Sequence, residues 1–170
     1  MRRIRYLVAA SLDGYIAGPK GEADWIIIDP DIDFRALFAQ FDTVLLGRRT
    51  FEAMRDADNG GLPGMKIYVF SQTLRQSDYP EVTILAEKPE AEMKALKNSA
   101  GKDIWLFGGG LLFRSLMQGG LVDSVEVSII PVLLGGGIPL LPPPAKSSSL
   151  RLMGHKVYGS GIVTLEYAAQ

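Results

Sequence analysis

The sequence predicts an α/β domain: a mixed, mostly parallel central sheet with flanking helices and an antiparallel C-terminal edge. Three observations predict it. Segments with strand and helix patterning alternate from the N-terminus through the helix that carries Leu112 to Met117. From Ser124 onward strands follow one another with no helix between them. No linker divides the chain, the only biased tract being the short loop "LPPPAKSSS". Alternation calls for parallel strands joined by helical crossovers, whereas consecutive strands pair antiparallel. A length of 170 residues suits one such domain with its own core.

The elements follow in order. Ile4 to Ala10 is an apolar run of strand length, and Ser11 to Asp24, with its glycines and Pro19, is irregular. Asp29-Pro30 reads as an N-cap followed by proline at the first helical position. Phe34, Leu37, Phe38 and Phe41 then recur at i, i+3, i+4 and i+7, one face of a helix. Thr43 to Leu46 is a buried strand, with a short helix starting after Gly47. The turn "LPG", Leu62 to Gly64, leads into a strand from Lys66 to Ser71. Val82 to Leu85 is the next strand, Pro89 to Asn98 the next helix and Ile104 to Phe107 the strand after it. Gly108, Gly109 and Gly110 follow, then a helix with Leu112, Phe113, Leu116 and Met117 on one face. Ser124 to Leu133, Ser149 to Val157 and Ile162 to Tyr167 complete the chain as strands.

Composition excludes several chemistries. A formal net charge of −1 gives no electrostatic reason to expect nucleic acid or an anionic membrane. The absence of cysteine removes disulfides, thiolate metal sites and a cysteine nucleophile. With His155 as the only histidine, a histidine metal cluster and a serine–histidine triad are also excluded, and no metal is expected. No apolar run reaches the ~18 residues of a membrane span. The basic-then-apolar N-terminus is interrupted by Asp13 too early for a signal peptide, so the expected location is the cytoplasm.

Two strand-to-helix junctions carry the candidate chemistry. In "VLLGRRTFEAM", Gly47, Arg48, Arg49 and Thr50 stand at the start of a helix, where free amides, the helix dipole and guanidinium groups suit an anion. In "IWLFGGGLLFRSL", the three glycines let backbone amides approach a bulky ligand, again at a helix start. Each has a plainer reading, a tight turn for the glycines and a solvated surface for the arginines. Neither junction matches the dinucleotide fingerprint G-x-G-x-x-G or the P-loop. Two anion-suited junctions on neighbouring strands nevertheless fit a ligand with separated phosphates, a dinucleotide. Ser71 and Gln72, at the end of "VFSQTLR", add donors at a third strand end, with Arg75 nearby.

"VAASLDGYIAG", "VLLGRRTFEAM", "LPGMKIYVFSQT" and "IWLFGGGLLFRSL" occur in the order and approximate spacing of the dihydrofolate reductase-like superfamily, which the chain resembles over about residues 4 to 167. "SLDG" and "GGLVDSVEVSIIPVLLGGGIPLL" are more similar to the reductase domain of the bifunctional riboflavin-biosynthesis deaminase/reductase and its stand-alone relatives. The resemblance implies a single dihydrofolate reductase-like domain over residues 1–170 that uses NADPH. By that resemblance Ala10, Ile16 and Ala17 line the nicotinamide side, with Ser11 to Asp24 as the mobile active-site loop. Gly47, Arg48, Arg49 and Thr50 hold phosphates. Phe70, Ser71, Gln72 and Arg75 lie towards the adenosine 2′-phosphate. Phe107, Gly108, Gly109, Gly110, Leu111 and Leu112 pack against the pyrophosphate and nicotinamide ribose. Leu111 and Phe113 depart from the charged or polar residue and the tyrosine common at those places. A homodimer paired through its sheets is also implied.

Hydride reduction of a C=N bond needs a proton at nitrogen, and a carboxylate or ordered water can provide it. The resemblance puts the acid on the helix before the Gly47 strand, at Asp31 with Asp33 as neighbour. The competing reading of Asp29, Asp31 and Asp33 is first-turn dipole stabilisation, about 0.3–1 kcal/mol each. Asp13, in "SLDG", is the second candidate, against an ordinary Asp-Gly turn. Trp25 and Ser128 are candidate substrate contacts, against core and strand roles, and His155 is expected to have no catalytic duty. The substrate is a small nitrogen heterocycle, a dihydropteridine such as dihydrofolate or the phosphorylated ribosylamino-pyrimidine of riboflavin synthesis. For the latter's phosphate, Lys20 and Arg35 are poor receivers. A catalytically silent nucleotide-binding module of the same fold is the alternative.

Overall fold

A computed structural model describes residues 1–56, 62, 64–86 and 90–170. Its elements are β1 (Ile4–Ser11), β2 (Tyr15–Ala17), α1 (Phe34–Phe38), β3 (Phe41–Gly47), α2 (Arg48–Asp56), β4 (Lys66–Phe70) and β5 (Thr83–Leu85). They continue with α3 (Glu90–Asn98), β6 (Asp103–Gly108), α4 (Gly110–Gln118), β7 (Ser124–Ile130), β8 (Ile138–Pro139), β9 (Leu150–Val157) and β10 (Val163–Ala169). The main sheet has the order β5-β4-β3-β6-β1-β7-β10-β9. Neighbours from β5 to β7 are parallel, and β10 pairs antiparallel with β7 and β9. The parallel sheet with an antiparallel C-terminal edge is therefore the observed fold.

Strand alternation sends side chains to two cores. Ile4, Tyr6 and Ala10 of β1 point to one face, where α3 and α4 supply Met93, Leu112, Phe113 and Leu116. Leu7, Val44, Leu46 and Trp105 point to the other, which α2 covers with Phe51 and α1 with Leu37 and Phe38. Helices thus cover both faces of the parallel part, whereas among the described residues no helix packs in either core against β10 or β9.

The amino ends of the parallel strands are tied down by charge pairs. Lys97 is buried; its Nζ donates to the Leu121 carbonyl at 3.1 Å and pairs with Asp123 at 2.7 Å. Asp123 also accepts the Ile4 amide at 2.7 Å, so α3, β1 and the start of β7 share one anchor. Arg2 likewise joins Asp42 and donates to Thr43 Oγ1 at 2.7 Å.

Several expectations need correction. The helix expected from Asp29-Pro30 through Phe41 shrinks to five residues, capped by Asp33, whose side chain accepts the Ala36 amide. Asp29 is occupied elsewhere: its carboxylate accepts the Asp31 amide and, 131 residues away, the Ser160 amide, each at 2.9 Å. Asp31 therefore lies in the segment before the helix, not in its first turn. Phe41 opens β3, paired with Asp103. The strand expected to reach Leu133 ends at Ile130, because Pro131 has no N–H for the ladder. The ribbon of β2 and β8 has no counterpart among the expected elements. Pro63 of the "LPG" turn and Pro89 at the expected helix start lie outside the described residues. Among the described residues no helix is long and apolar enough to cross a membrane, and no group of three or more histidine, aspartate or glutamate side chains is arranged to hold a metal ion.

Candidate active site

From β3 the chain leaves through α2 towards β4, and from the neighbouring β6 it leaves through α4 towards β7, on the opposite face. Divergence of adjacent connections opens a crevice at the carboxyl ends of the strands, the usual ligand position in such sheets. A cavity of about 1520 Å³ occupies it and extends across the sheet to β7, β10 and β9.

The three glycines at this crevice have three different reasons. Gly108 has φ +140°, a conformation side chains rarely adopt. A Cβ on Gly110 would lie 2.9 Å from the Pro139 carbonyl oxygen and 2.8 Å from Pro142 Cδ, so this glycine serves close packing of the β8 segment on α4. At Gly109 neither the φ angle nor close packing calls for glycine. Its φ of −88° suits any residue, and its Cβ would meet only Thr50 Oγ1, at 3.4 Å. The backbone at Gly109, the start of α2 and Thr50 thus face a common space that side chains leave clear.

One end of the cavity is built from the carboxyl ends of β4, β3 and β6. Gly47, Arg48, Arg49, Thr50, Phe70, Ser71, Gln72, Phe107, Gly108, Gly109, Gly110, Leu111 and Leu112 all line it. Arg48 is paired with Glu52 at 3.1 Å, while Arg49 is exposed. The Ser71 hydroxyl accepts the Thr73 and Leu74 amides at 3.1 and 3.0 Å, so it shapes the turn that presents Gln72 and Thr73. Arg75 precedes a short 3-10 turn, Gln76–Asp78, and does not line the cavity.

The other end is bounded by β1, β7, β10, α1 and the segment Ile26–Phe34. Ile16, Ala17, Asp31 and Ser128 line the cavity here. Three sequence candidates do not. Ala10 is buried in the core, and Trp25 turns its indole N–H to the Glu22 carbonyl at 3.0 Å within its own loop. Asp13 accepts the amides of Leu134 and Gly135 at 3.0 and 2.7 Å. The Ser11 hydroxyl and those two amides pull its carboxyl down to about 2. Asp13 is thus a clasp for the loop after β7.

Sequence reasoning missed other lining residues. Trp105 is stacked on Phe38 at 5.1 Å and meets Phe107 edge-on at 4.9 Å, forming an aromatic wall with Phe34. Glu126 also lines the cavity, held by Arg5 at 3.1 Å. A signal existed for it: Glu126 and Ser128 alternate with Val125, Val127 and Ile129, so both polar side chains share one strand face. The Ser128 hydroxyl meets Thr164 at 2.9 Å, and Thr164, Lys156 and Tyr158 complete the far rim.

Comparison with known proteins agrees with this architecture. The sequence profile of the RibD C-terminal domain matches residues 2–164. An uncharacterised Bacillus subtilis (strain 168) protein, YyaP, is 37% identical over 178 residues, spanning 98% of this chain and 94% of that one. A crystal structure of a candidate riboflavin biosynthesis protein from Shewanella sp. PV-4 superposes with TM-score 0.85 at 26% identity, covering 99% of each chain. Dihydrofolate reductase from Enterococcus faecalis, complexed with NADP(H) and RAB-propyl, shares the fold with TM-score 0.71 at 20% identity over 99% of this chain and 96% of that one.

Proposed function

The chain belongs to the RibD C-terminal domain family, a family of reductases with a dihydrofolate reductase-like fold, and from that premise we propose an NADPH-dependent reductase. It reduces a C=N-type bond in a small nitrogen heterocycle. The observation that carries the reading is one continuous cavity joining a backbone-lined crevice to an aromatic chamber bearing carboxylates.

The residues present fit a nicotinamide dinucleotide. Gly109 leaves clear the space in front of its own main chain, the start of α2 and Thr50, where a diphosphate meets amides and a hydroxyl. Gln72, Thr73 and the Ser71 turn stand at the next strand end, suited to an adenosine 2′-phosphate, with Arg75 beyond them. Ile16, Ala17, Phe107, Leu111 and Leu112 offer the apolar surface a nicotinamide ring needs. When bound, the cofactor supplies hydride.

The remaining work falls to the chain. Phe34, Phe38, Trp105 and Phe107 orient a flat ring, and Ile26, Ile27, Ile28 and Ile32 exclude water. Asp31 holds a proton at the substrate nitrogen, while Ser128 contacts the ring edge. Dihydropteridines and the phosphorylated ribosylamino-pyrimidine are the two substrate types that this chemistry admits. The same reading extends to a homodimer, formed over the helix-free β10–β9 part, where Leu152 and Val157 are exposed.

The test pairs two measurements. NADPH raises the melting temperature of the chain, and Asp31→Asn lowers kcat by about 100-fold, the low end for a general acid, with NADPH affinity unchanged. NADPH binding without oxidation by any heterocycle in a panel replaces the enzyme with a silent binding module. Sedimentation at the monomer mass removes the dimer.

A further inference from the structure

Resting on the reductase reading, we infer that Asp29 is a positioning residue for Asp31: its carboxylate holds the wall that carries Asp31 against the turn between β9 and β10. Asp29 does not line the cavity, so it acts through its neighbour rather than on the substrate.

The wall is the chain from Lys20 to Phe34, which gives Ile26, Ile27, Ile28, Asp31 and Ile32 to the cavity. No side chain in this stretch belongs to either core. Its main-chain bonds are local, such as the Ile26 amide to the Ala23 carbonyl and the Ile32 amide to the Asp29 carbonyl. Among the described residues a single hydrogen bond leaves the stretch for a distant part of the fold. In it the Ser160 amide donates to Asp29 Oδ2 at 2.9 Å.

The surroundings of Asp29 suit that task. It is 2% exposed, although Ile28 and Pro30 on either side are exposed. Among the described residues no cation forms an ion pair with it. A buried carboxylate without such a partner is costly unless hydrogen-bond donors converge on it. Here the Ser160 hydroxyl and the Asp31 and Ser160 amides do so, and they keep the carboxyl below the ordinary carboxylate range. The two oxygens serve different walls. Oδ1 accepts the Asp31 amide at 2.9 Å, fixing the main chain from which Asp31 projects. Oδ2 takes the turn, which is closed by the Tyr158 amide on the Ile162 carbonyl at 2.9 Å. Tyr158 and Ile162 both line the cavity, so one carboxylate sets the spacing of two sides of the chamber. A local turn would use Oδ1 alone; the reach across 131 residues is what places Asp31. A proton donor works only within hydrogen-bond reach of its acceptor, so that placement bears on turnover.

Two measurements on the full chain test this. Hydrogen exchange at the Asp31 and Ser160 amides, followed by NMR, reports the tie without any substrate. Asp29→Ala removes both acceptors, and both amides exchange at least about tenfold faster, the worth of one hydrogen bond to a charged group. Should alanine unfold the chain, Asp29→Asn is the milder variant: it keeps one acceptor, turns its NH2 on the other amide and frees one of the two. Full protection of both amides in the folded variant overturns the inference. The second measurement is NADPH oxidation with dihydrofolate and with the phosphorylated ribosylamino-pyrimidine. Asp29→Asn lowers kcat about tenfold with the NADPH-induced melting shift intact. Added to Asp31→Asn it lowers kcat no further, because it acts through that side chain. Losses that multiply in the double variant overturn the positioning role. Failure of both heterocycles to oxidise NADPH strikes the reductase reading instead, and the exchange result still decides whether Asp29 joins the two walls.

Discussion

Gly109→Ala separates ligand space from fold more cleanly than any other substitution in the cavity. The added methyl meets nothing nearer than Thr50 Oγ1 at 3.4 Å, and φ of −88° suits alanine, so the melting temperature without ligand should stay within about 2 °C. The methyl enters the space assigned to the diphosphate, where overpacking by one carbon costs about 2 kcal/mol and weakens NADPH roughly 30-fold. At 100 times the unmutated dissociation constant, NADPH contributes about 2.7 kcal/mol of stability to the unmutated protein. For the variant the same concentration is only about three times Kd, and the contribution falls to about 0.9 kcal/mol. At about 3 °C per kcal/mol for a chain of this size, the melting shift drops from about 8 °C to about 3 °C. Differential scanning fluorimetry with and without NADPH reads both numbers. A full shift in Gly109→Ala refutes the placement of the diphosphate. Gly110→Ala provides the contrast: its methyl meets Pro139 and Pro142, so it should lower the melting temperature even without ligand.

Other consequences concern stability. Because the Asp13 carboxyl titrates at about 2 when folded, against 3.8 otherwise, its stabilising contribution is present above pH 4 and lost as pH falls towards 2. Asp13→Asn should flatten the stability profile over that window in pH-dependent denaturation, and an unchanged slope rejects the clasp. The Tyr6 hydroxyl is buried without a hydrogen-bond partner among the described residues, its ring stacked on Phe113 at 4.0 Å. Tyr6→Phe should therefore be neutral or up to about 1 kcal/mol stabilising in urea denaturation, and a loss of stability would reveal an unrecognised partner. Lys97→Met leaves Asp123 without its cation. Because that carboxylate is partly exposed, the cost should be about 2 kcal/mol, below that of a fully buried pair, with the NADPH shift preserved.

The parallel core was legible because its strands are buried on both faces and read as continuous apolar runs, as in Thr43–Leu46 and Ile104–Phe107. Glycines punctuate their ends, so the junctions at Gly47 and Gly108 could be placed. What escaped was set by distant contacts. Asp29 carries a sound capping signal, yet Ser160 claims its carboxylate, a competition no local window contains. Phe41 fits the helical stripe of Phe34, Leu37 and Phe38, but pairing with β6 draws it into β3. The ribbon of β2 and β8 has only two or three residues per strand, too few for alternation to register. Glu126 escaped for a different reason. A single glutamate in an apolar strand reads as an edge residue until β7 is known to lie beside β1 and under the cavity.

The glycine run shows how one sequence signal can mix fold and function. Read together, Gly108 to Gly110 suggest that all three clear a path for a ligand. The geometry divides them: backbone conformation requires Gly108, the Pro139–Pro142 segment requires Gly110, and at Gly109 an added Cβ would meet only Thr50 Oγ1. The two outer glycines still matter to the site indirectly, since one ends β6 and the other lets the β8 segment close on α4, fixing where the Gly109 main chain points. At the opposite ends of the same strands, Lys97, Asp123, Arg2 and Asp42 satisfy one another. The sheet therefore places these buried charge pairs at its amino edge, while Gly47 and Gly108 to Gly110 line the cavity at its carboxyl edge. That polarity predicts that stability variants at one edge and binding variants at the other act independently.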